Sequence, residues 1–180
     1  MKTLLHVGSG YSGRNEVYYP PFTGEGWTHV RLDIDPSVMP DIIGDIVSLD
    51  GIPDESYDGI YSSHNLEHLH HDDAGRALAA FHRVLKPGGK CVVTMPDFRL
   101  ACEWVARGDG MQTIYMSPAG PITPFDMIFG YRPFTNGNPH QQHRGAFTAE
   151  WLQRRMARAG FTSLTVYTGE AFDIWGCASK

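Results

Sequence analysis

Six of the nine histidines fall in two stretches, His64, His68, His70 and His71, then His140 and His143. Histidine is the side chain whose ordinary pKa lets it move protons near neutral pH. His64 directly follows the run Tyr57–Ser62 plus Ser63, at the exit of an expected strand, and His143 lies in a later segment placed to reach over it. These two are the candidate catalytic residues, as bases for an acceptor that must lose a proton. His64 and His68, four apart, also share one helical face, and His140-x-x-His143 offers two further nitrogens. That spacing suits zinc, although no cysteine accompanies it.

Upstream, Gly8-Ser9-Gly10-Tyr11-Ser12-Gly13 matches the GxGxxG dinucleotide fingerprint, with Asp33 at 25 residues from Gly8. A dinucleotide also needs a helix opening at that turn, so that its N-terminal N–H groups face the pyrophosphate. The next stretch, RNEVYYPPFTGEGW, carries Pro20, Pro21, Gly24 and Gly26 and leaves room for little more than about one turn. S-adenosylmethionine has no phosphate and needs only close backbone approach, which Gly8 and Gly10 permit. Asp33, ending a second strand in RLDIDP, suits the two ribose hydroxyls, whereas Asp35 before Pro36 points the other way and starts a turn. In IIGDI, Asp45 beside Ile46 pairs an acceptor with an apolar surface, as an adenine edge and face require.

The elements that must hold these residues are legible as short apolar runs separated by turn signals. Strands are expected at Thr3–Val7, His29–Asp33, Asp41–Ile43, Tyr57–Ser62 and Lys90–Met95, the last after the turn Pro87-Gly88-Gly89. Being apolar on both faces, they fit a parallel sheet covered by helices. Ala74, Leu78, Phe81 and Leu85 mark a helix capped by Asp72 or Asp73. Asp97 caps a second, carrying Leu100, Ala101, Trp104 and Val105, and Thr148 a third, carrying Leu152, Met156 and Ala159 and stopping at Gly160. Ser163–Thr168 and Phe172–Ala178 are two strands whose short link, Gly169-Glu170-Ala171, favours an antiparallel pair.

Residues 109–147 differ in kind: five Pro, five Gly, six Phe or Tyr and only four charged residues. A flexible linker would be polar; this composition fits a functional cover or an oligomer contact. For the whole chain, 180 residues fit one domain with a core of its own. The formal charge of −5 gives a nucleic-acid partner no support. Cys91, Cys102 and Cys177, odd in number and without a CxxC pair, fit reduced thiols in a cytoplasm-like compartment. Without about 18 consecutive apolar residues or a cleavage site, neither a membrane span nor a signal peptide is expected.

Taken in order, the glycine turn, Asp33, Gly44-Asp45, YDGIYSSHNLEHL and LKPGG-x5-MPD resemble the class I S-adenosylmethionine-dependent methyltransferases, and most closely the small bacterial group called methyltransferase type 11. The resemblance covers residues 3 to about 96 and, more weakly, 146–180. It implies an α/β, Rossmann-like sheet of seven strands, mostly parallel with an antiparallel last strand and helices on both faces. It further implies that Gly8, Ser9, Gly10 and Ser12 wrap the methionine end of the cofactor, that Asp33 takes the ribose, that Asp45 and Ile46 flank the adenine, and that Ile34 also belongs to the cofactor site. Ser62, Ser63 and His64 would lie near the sulfonium, with Glu67 and His68 opening the next turn. Because that pattern already accounts for His64-x-x-Glu67-His68, no metal is expected.

The chain also departs from the family. His6 stands where an acidic residue is usual, two before the first glycine; Ser12 replaces the third glycine, and the N-terminal helices that often cover the cofactor are not expected, because the first strand is expected to start at Thr3. Residues 109–147 leave from the ligand-binding edge of the sheet and are the expected lid and substrate-recognition region within one domain, 1–180. The expected function is methyl transfer from S-adenosylmethionine to a small or medium-sized acceptor, in a cytoplasmic protein with no nucleic-acid or membrane partner and a homodimer as an option. A cofactor-binding module without activity and a nucleotide-dependent oxidoreductase are the alternatives. YPPF at Tyr19–Phe22 is similar to the signature of methyltransferases acting on bases and amides, but it precedes the second strand and reads as a turn.

Overall fold

The computed structural model describes residues 1–11, 21–23, 26–136 and 138–180. Its strands, in chain order, are β1 (Lys2–Val7), β2 (Trp27–Asp33), β3 (Ile42–Ile43), β4 (Tyr57–Ser63), β5 (Leu85–Pro96), β6 (Tyr115–Ser117), β7 (Gly120–Ile122), β8 (Thr162–Thr168) and β9 (Asp173–Ser179). The helices are α1 (His71–Val84), α2 (Phe98–Ala106), α3 (Pro124–Phe129), α4 (Arg132–Thr135) and α5 (Ala149–Arg158), with short 3-10 turns at Pro36–Val38, Leu66–His68 and Pro139–Gln141.

Seven strands form one sheet in the order β3-β2-β1-β4-β5-β9-β8. β1 pairs in parallel with both β2 and β4, and β4 with β5, while β9 runs antiparallel to β5 and β8. The expected reversed last strand is therefore present. Because strand order reverses on either side of β1, a crevice opens beyond the C-terminal ends of β1 and β4, the place where ligands bind in open α/β sheets. Gly8 and Ser63 sit at that mouth.

Side-chain alternation sorts the core. Leu5, Val7, Ile60, Val93, Met95 and Ile174 face one side and bury Ala74, Leu78 and Phe81 of α1 with Leu152 and Met156 of α5. Each fully buried Leu or Phe of this kind contributes roughly 1.5–3 kcal/mol. Leu4, Tyr61, Val92 and Trp175 face the other side, against Phe22 and Trp27.

The capping residues Asp97 and Thr148 are as expected: Asp97 accepts from the N–H of Arg99 and Leu100, Thr148 from that of Trp151. Two boundaries differ. α1 begins two or three residues earlier, with His70 at its cap position, so Asp72 and Asp73 lie inside the first turn and favour the helix through its dipole instead. β5 starts at Leu85, not Lys90: Leu85 pairs with Tyr57, and the register shifts between Tyr57 and Gly59. Pro87-Gly88-Gly89 is thus an irregularity within a strand, with Gly88 at φ +76°.

Residues 109–147 carry the β6–β7 hairpin, α3 and α4. They pack on α2 through Ala101, Ile122 and Met127, with Tyr115, Tyr131 and Phe172 partly buried around them. A capping box starts α3: Thr123 accepts from the Asp126 N–H, and Asp126 accepts from the Thr123 N–H. The segment returns to the sheet where Arg144 and Gly145 donate their N–H groups to the Glu67 carbonyl at 2.8 and 2.9 Å. No helix among the described residues is long and apolar enough to cross a membrane. The three cysteines are unpaired thiols.

Candidate functional site

The glycine turn leaves β1 with Gly8 and Gly10 both at φ +59°, a conformation that costs L-residues with a side chain roughly 1–2 kcal/mol. Gly8 is constrained twice, since a Cβ there would overlap the Asn65 amide. Asn65 donates from Nδ2 to the carbonyls of Val7 at 2.9 Å and Ser63 at 3.0 Å, joining the ends of β1 and β4. Asp33, buried at the end of β2, accepts the Gly10 N–H on Oδ2 at 2.8 Å and the Asp35 N–H on Oδ1 at 3.0 Å. The Arg31 guanidinium donates to the Gly10 carbonyl from below. Together these contacts fix the turn as one wall of a cavity of about 910 Å³, within the range of cofactor sites.

Gly8, Gly10, Asp33 and Ile34 line that cavity on the β1–β2 side, Asp45 and Ile46 after β3, and Ser63 and His64 after β4. Sequence reasoning had therefore collected its principal walls. Ser9 and Ser62 are not among the lining residues. Ser9 is buried with its N–H on the Leu32 carbonyl, and Ser62 is buried with Oγ 3.4 Å from Asn65 Nδ2. Both support the turn from behind. Ser12 lies outside the described residues, as does most of the stretch between the turn and β2. Asp35 is not turned away: it lines the cavity while accepting the Ser37 N–H, the turn expected of it. Asn65, Tyr11 and Arg144 are further wall residues that the sequence did not single out. Tyr11 and Asn65 had local signals, within the glycine motif and between His64 and Glu67; Arg144 had none.

His6 is buried on the opposite side of β1, its ring 5.1 Å from that of Tyr61, and does not reach the cavity. Burial, with Arg31 and His29 nearby, lowers its pKa to about 4 against an opposing pull from Asp33, so the imidazole is neutral. A neutral ring at this position carries no charge to repel a cationic ligand.

A second cavity, of about 440 Å³, opens beside the first, and His64, His68, Phe134 and Gln141 line both. Tyr115, Ser117 and Ala119 of the hairpin region, Asp126 and Met127 of α3, and His143 enclose it, so both histidines singled out from the sequence face it. His64 takes a strained φ of +53°, fixed by its N–H on the Thr94 carbonyl at 2.9 Å. Its Nδ1 lies 3.3 Å from Oε1 of Glu67, which is 3% exposed. Burial opposes ionisation of Glu67, but His64, His68 and His143 outweigh it and hold the pKa at about 2. The same carboxylate raises the pKa of His64 against the opposing desolvation of its half-exposed ring. His143 is shifted down, mainly by burial, and its Nδ1 lies 2.8 Å from the Met127 carbonyl. Tyr115 is pushed up to about 12 by burial and by Asp173, Asp126 and Glu67.

The first cavity fits an adenosyl-sulfonium ligand. Among the described lining residues, three carboxylates, Asp33, Asp35 and Asp45, face it together with one guanidinium, that of Arg144. That balance favours a cationic ligand with hydroxyls and disfavours a pyrophosphate.

Comparison with known proteins gives the same direction. The family described as a methyltransferase domain matches residues 5–93. No curated protein sequence matches the chain. Among solved structures, a S-adenosylmethionine-dependent methyltransferase of Archaeoglobus fulgidus superposes with a TM-score of 0.64 at 15% identity, covering 99% of this chain and 86% of that one. One of Thermotoga maritima, described as a possible histamine N-methyltransferase, gives 0.60 at 18%, covering 100% and 83%. The 1,6-didemethyltoxoflavin-N1-methyltransferase of Burkholderia thailandensis, solved with its substrate and S-adenosylhomocysteine, gives 0.57 at 18%, covering 99% and 71%.

Proposed function

We propose, for a chain that carries a methyltransferase domain in the class I fold and takes S-adenosylmethionine as its cofactor, that the acceptor is a small or medium-sized molecule held in the second cavity. The observation that carries this reading is the meeting of the two cavities at His64 and His68, one walled by the glycine turn and Asp33, the other by the segment 109–147. The structural neighbour from Burkholderia thailandensis, which binds 1,6-didemethyltoxoflavin together with S-adenosylhomocysteine, supports a small-molecule acceptor.

The cofactor supplies an electrophilic methyl group on a sulfonium sulfur. The chain's own residues then have three tasks. Asp33 receives the ribose hydroxyls on the lone pairs that Gly10 and Asp35 leave open, and Asp45 with Ile46 takes the adenine. The aromatic segment, as lid, positions the acceptor in line with the methyl group, the largest contribution such a displacement needs. His64, oriented by Glu67 through Nδ1, keeps Nε2 to take a proton from the acceptor.

The test is turnover. Purified protein with S-adenosylmethionine and a panel of phenols, amines, heterocycles and carboxylic acids should release S-adenosylhomocysteine with at least one member, by mass spectrometry. Tight binding of S-adenosylhomocysteine with no turnover across the panel would favour a binding module.

A further inference from the structure

On the wall of the second cavity, Glu67, His68 and His143 bring one ligand atom each to within 4.8 Å of one another. We infer that these three residues form a binding site for a divalent transition-metal ion of zinc-like preference, facing the second cavity.

Four observations carry it. First, both carboxylate oxygens of Glu67 are buried, Oε1 meeting only the His64 ring at Nδ1, 3.3 Å away, and Oε2 having no hydrogen-bond partner. A carboxylate is seldom buried in that state unless a charge meets it. Second, each imidazole already commits Nδ1 to a backbone carbonyl: His68 to Gln142 at 3.2 Å, His143 to Met127 at 2.8 Å. A donated Nδ1–H fixes the tautomer with Nε2 as the free nitrogen, the arrangement that metal-ligating histidines use. Third, the two rings stand edge to face with centroids 4.9 Å apart, close enough for both to serve one ion. Fourth, the ligands come from places the fold ties together, because the Glu67 carbonyl accepts the N–H groups of Arg144 and Gly145, next to His143.

The donor set selects the ion. Two imidazoles and a carboxylate suit zinc(II) and its first-row neighbours, whereas magnesium and calcium prefer oxygen alone. Ligand atoms around such an ion stand roughly 3–4 Å apart at bond lengths of about 2.1 Å, so the three side chains need only a small rotation to close on it. Three protein ligands leave positions open toward the cavity, which an oxygen or nitrogen of the acceptor would occupy. That last role rests on the second cavity being the acceptor site; binding of the ion does not. The site departs from the expectation of no metal, which weighed His64 with His68 and His140 with His143 but not the set Glu67, His68 and His143, the last lying 75 residues beyond His68.

The experiment is calorimetric titration of chelator-treated full-length protein with zinc(II) and, separately, magnesium(II), with cobalt(II) absorption as a second readout of the ligand set. Saturation at one zinc(II) per chain is expected, weakened at least about tenfold in both Glu67→Gln and His143→Ala, together with a cobalt(II) spectrum that changes in each variant. Circular dichroism establishes that both variants are folded; should Glu67→Gln fail to fold, His68→Ala replaces it. No saturable zinc(II) binding, binding unchanged in the variants, or a response to magnesium(II) alone would overturn the site. S-adenosylhomocysteine affinity, measured on the same samples, reports separately on the methyltransferase reading.

Discussion

The carboxylate of Asp33 holds the backbone N–H of Gly10 at 2.8 Å, so the end of the second strand braces the loop that leaves the first. One side chain thus shapes the turn and faces the cavity that the turn encloses. Asp33→Ala should weaken S-adenosylhomocysteine binding by about 1–3 kcal/mol. An unchanged dissociation constant would remove Asp33 from the cofactor's partners.

Gly8 is held by two constraints, its positive φ and the amide of Asn65. Gly8→Ala should cost roughly 1–2 kcal/mol of stability from the backbone alone, with more from the displaced amide. In an Asn65→Ala background the second contribution disappears, so a double-mutant cycle in urea should show coupling. Additive losses would mean that the two positions do not meet.

His6 links stability to pH. Its folded pKa of about 4 lies below the ordinary 6.5, so as pH falls through 6.5 the unfolded chain gains a proton that the folded chain refuses until about 4. Its contribution is therefore neutral above that window and costs up to about 3 kcal/mol by its lower end. Urea unfolding at both ends should show this loss in the parent and its absence in His6→Leu; equal losses would contradict a buried neutral imidazole.

Asp126 accepts from Thr123 and from the Arg132 backbone and guanidinium, the latter at 2.9 Å, and it is almost fully buried. Asp126→Ala should destabilise the protein by about 2 kcal/mol, since the cap and the pair are lost together. A change in melting temperature no larger than that of a surface substitution would show that the segment's helices do not depend on it.

Ala119, exposed at the turn of the hairpin, borders only the second cavity. Ala119→Trp should raise the acceptor KM severalfold and leave the S-adenosylhomocysteine dissociation constant unchanged. Equal damage to both would argue for a structural role for residues 109–147.

Much of this arrangement was legible because local chemistry determines it. Apolar runs marked the strands, Asp97 and Thr148 marked helix starts, and Gly8 and Gly10 marked a turn whose positive φ favours glycine. Asp72 and Asp73 misled because an acid serves a helix equally as cap or as first-turn residue, and His70 took the cap position without a side-chain bond. Ser9 and Ser62 sit within the expected motifs but are buried, Ser9 through its N–H bond to the Leu32 carbonyl and Ser62 by side-chain alternation along β4, which the motifs do not encode. Arg144 and the pairing of His68 with His143 depend on how the chain returns from residues 109–147, information held in tertiary packing rather than in spacing. The charge balance of the first cavity likewise emerges only when Asp33, Asp35 and Asp45 are seen to share a wall with Arg144.

The most direct measurement is calorimetric titration of the intact protein with S-adenosylhomocysteine and, in parallel, with NAD. The account requires saturable binding of the former at one site per chain and none of the latter. Saturation by NAD with no response to S-adenosylhomocysteine would contradict it.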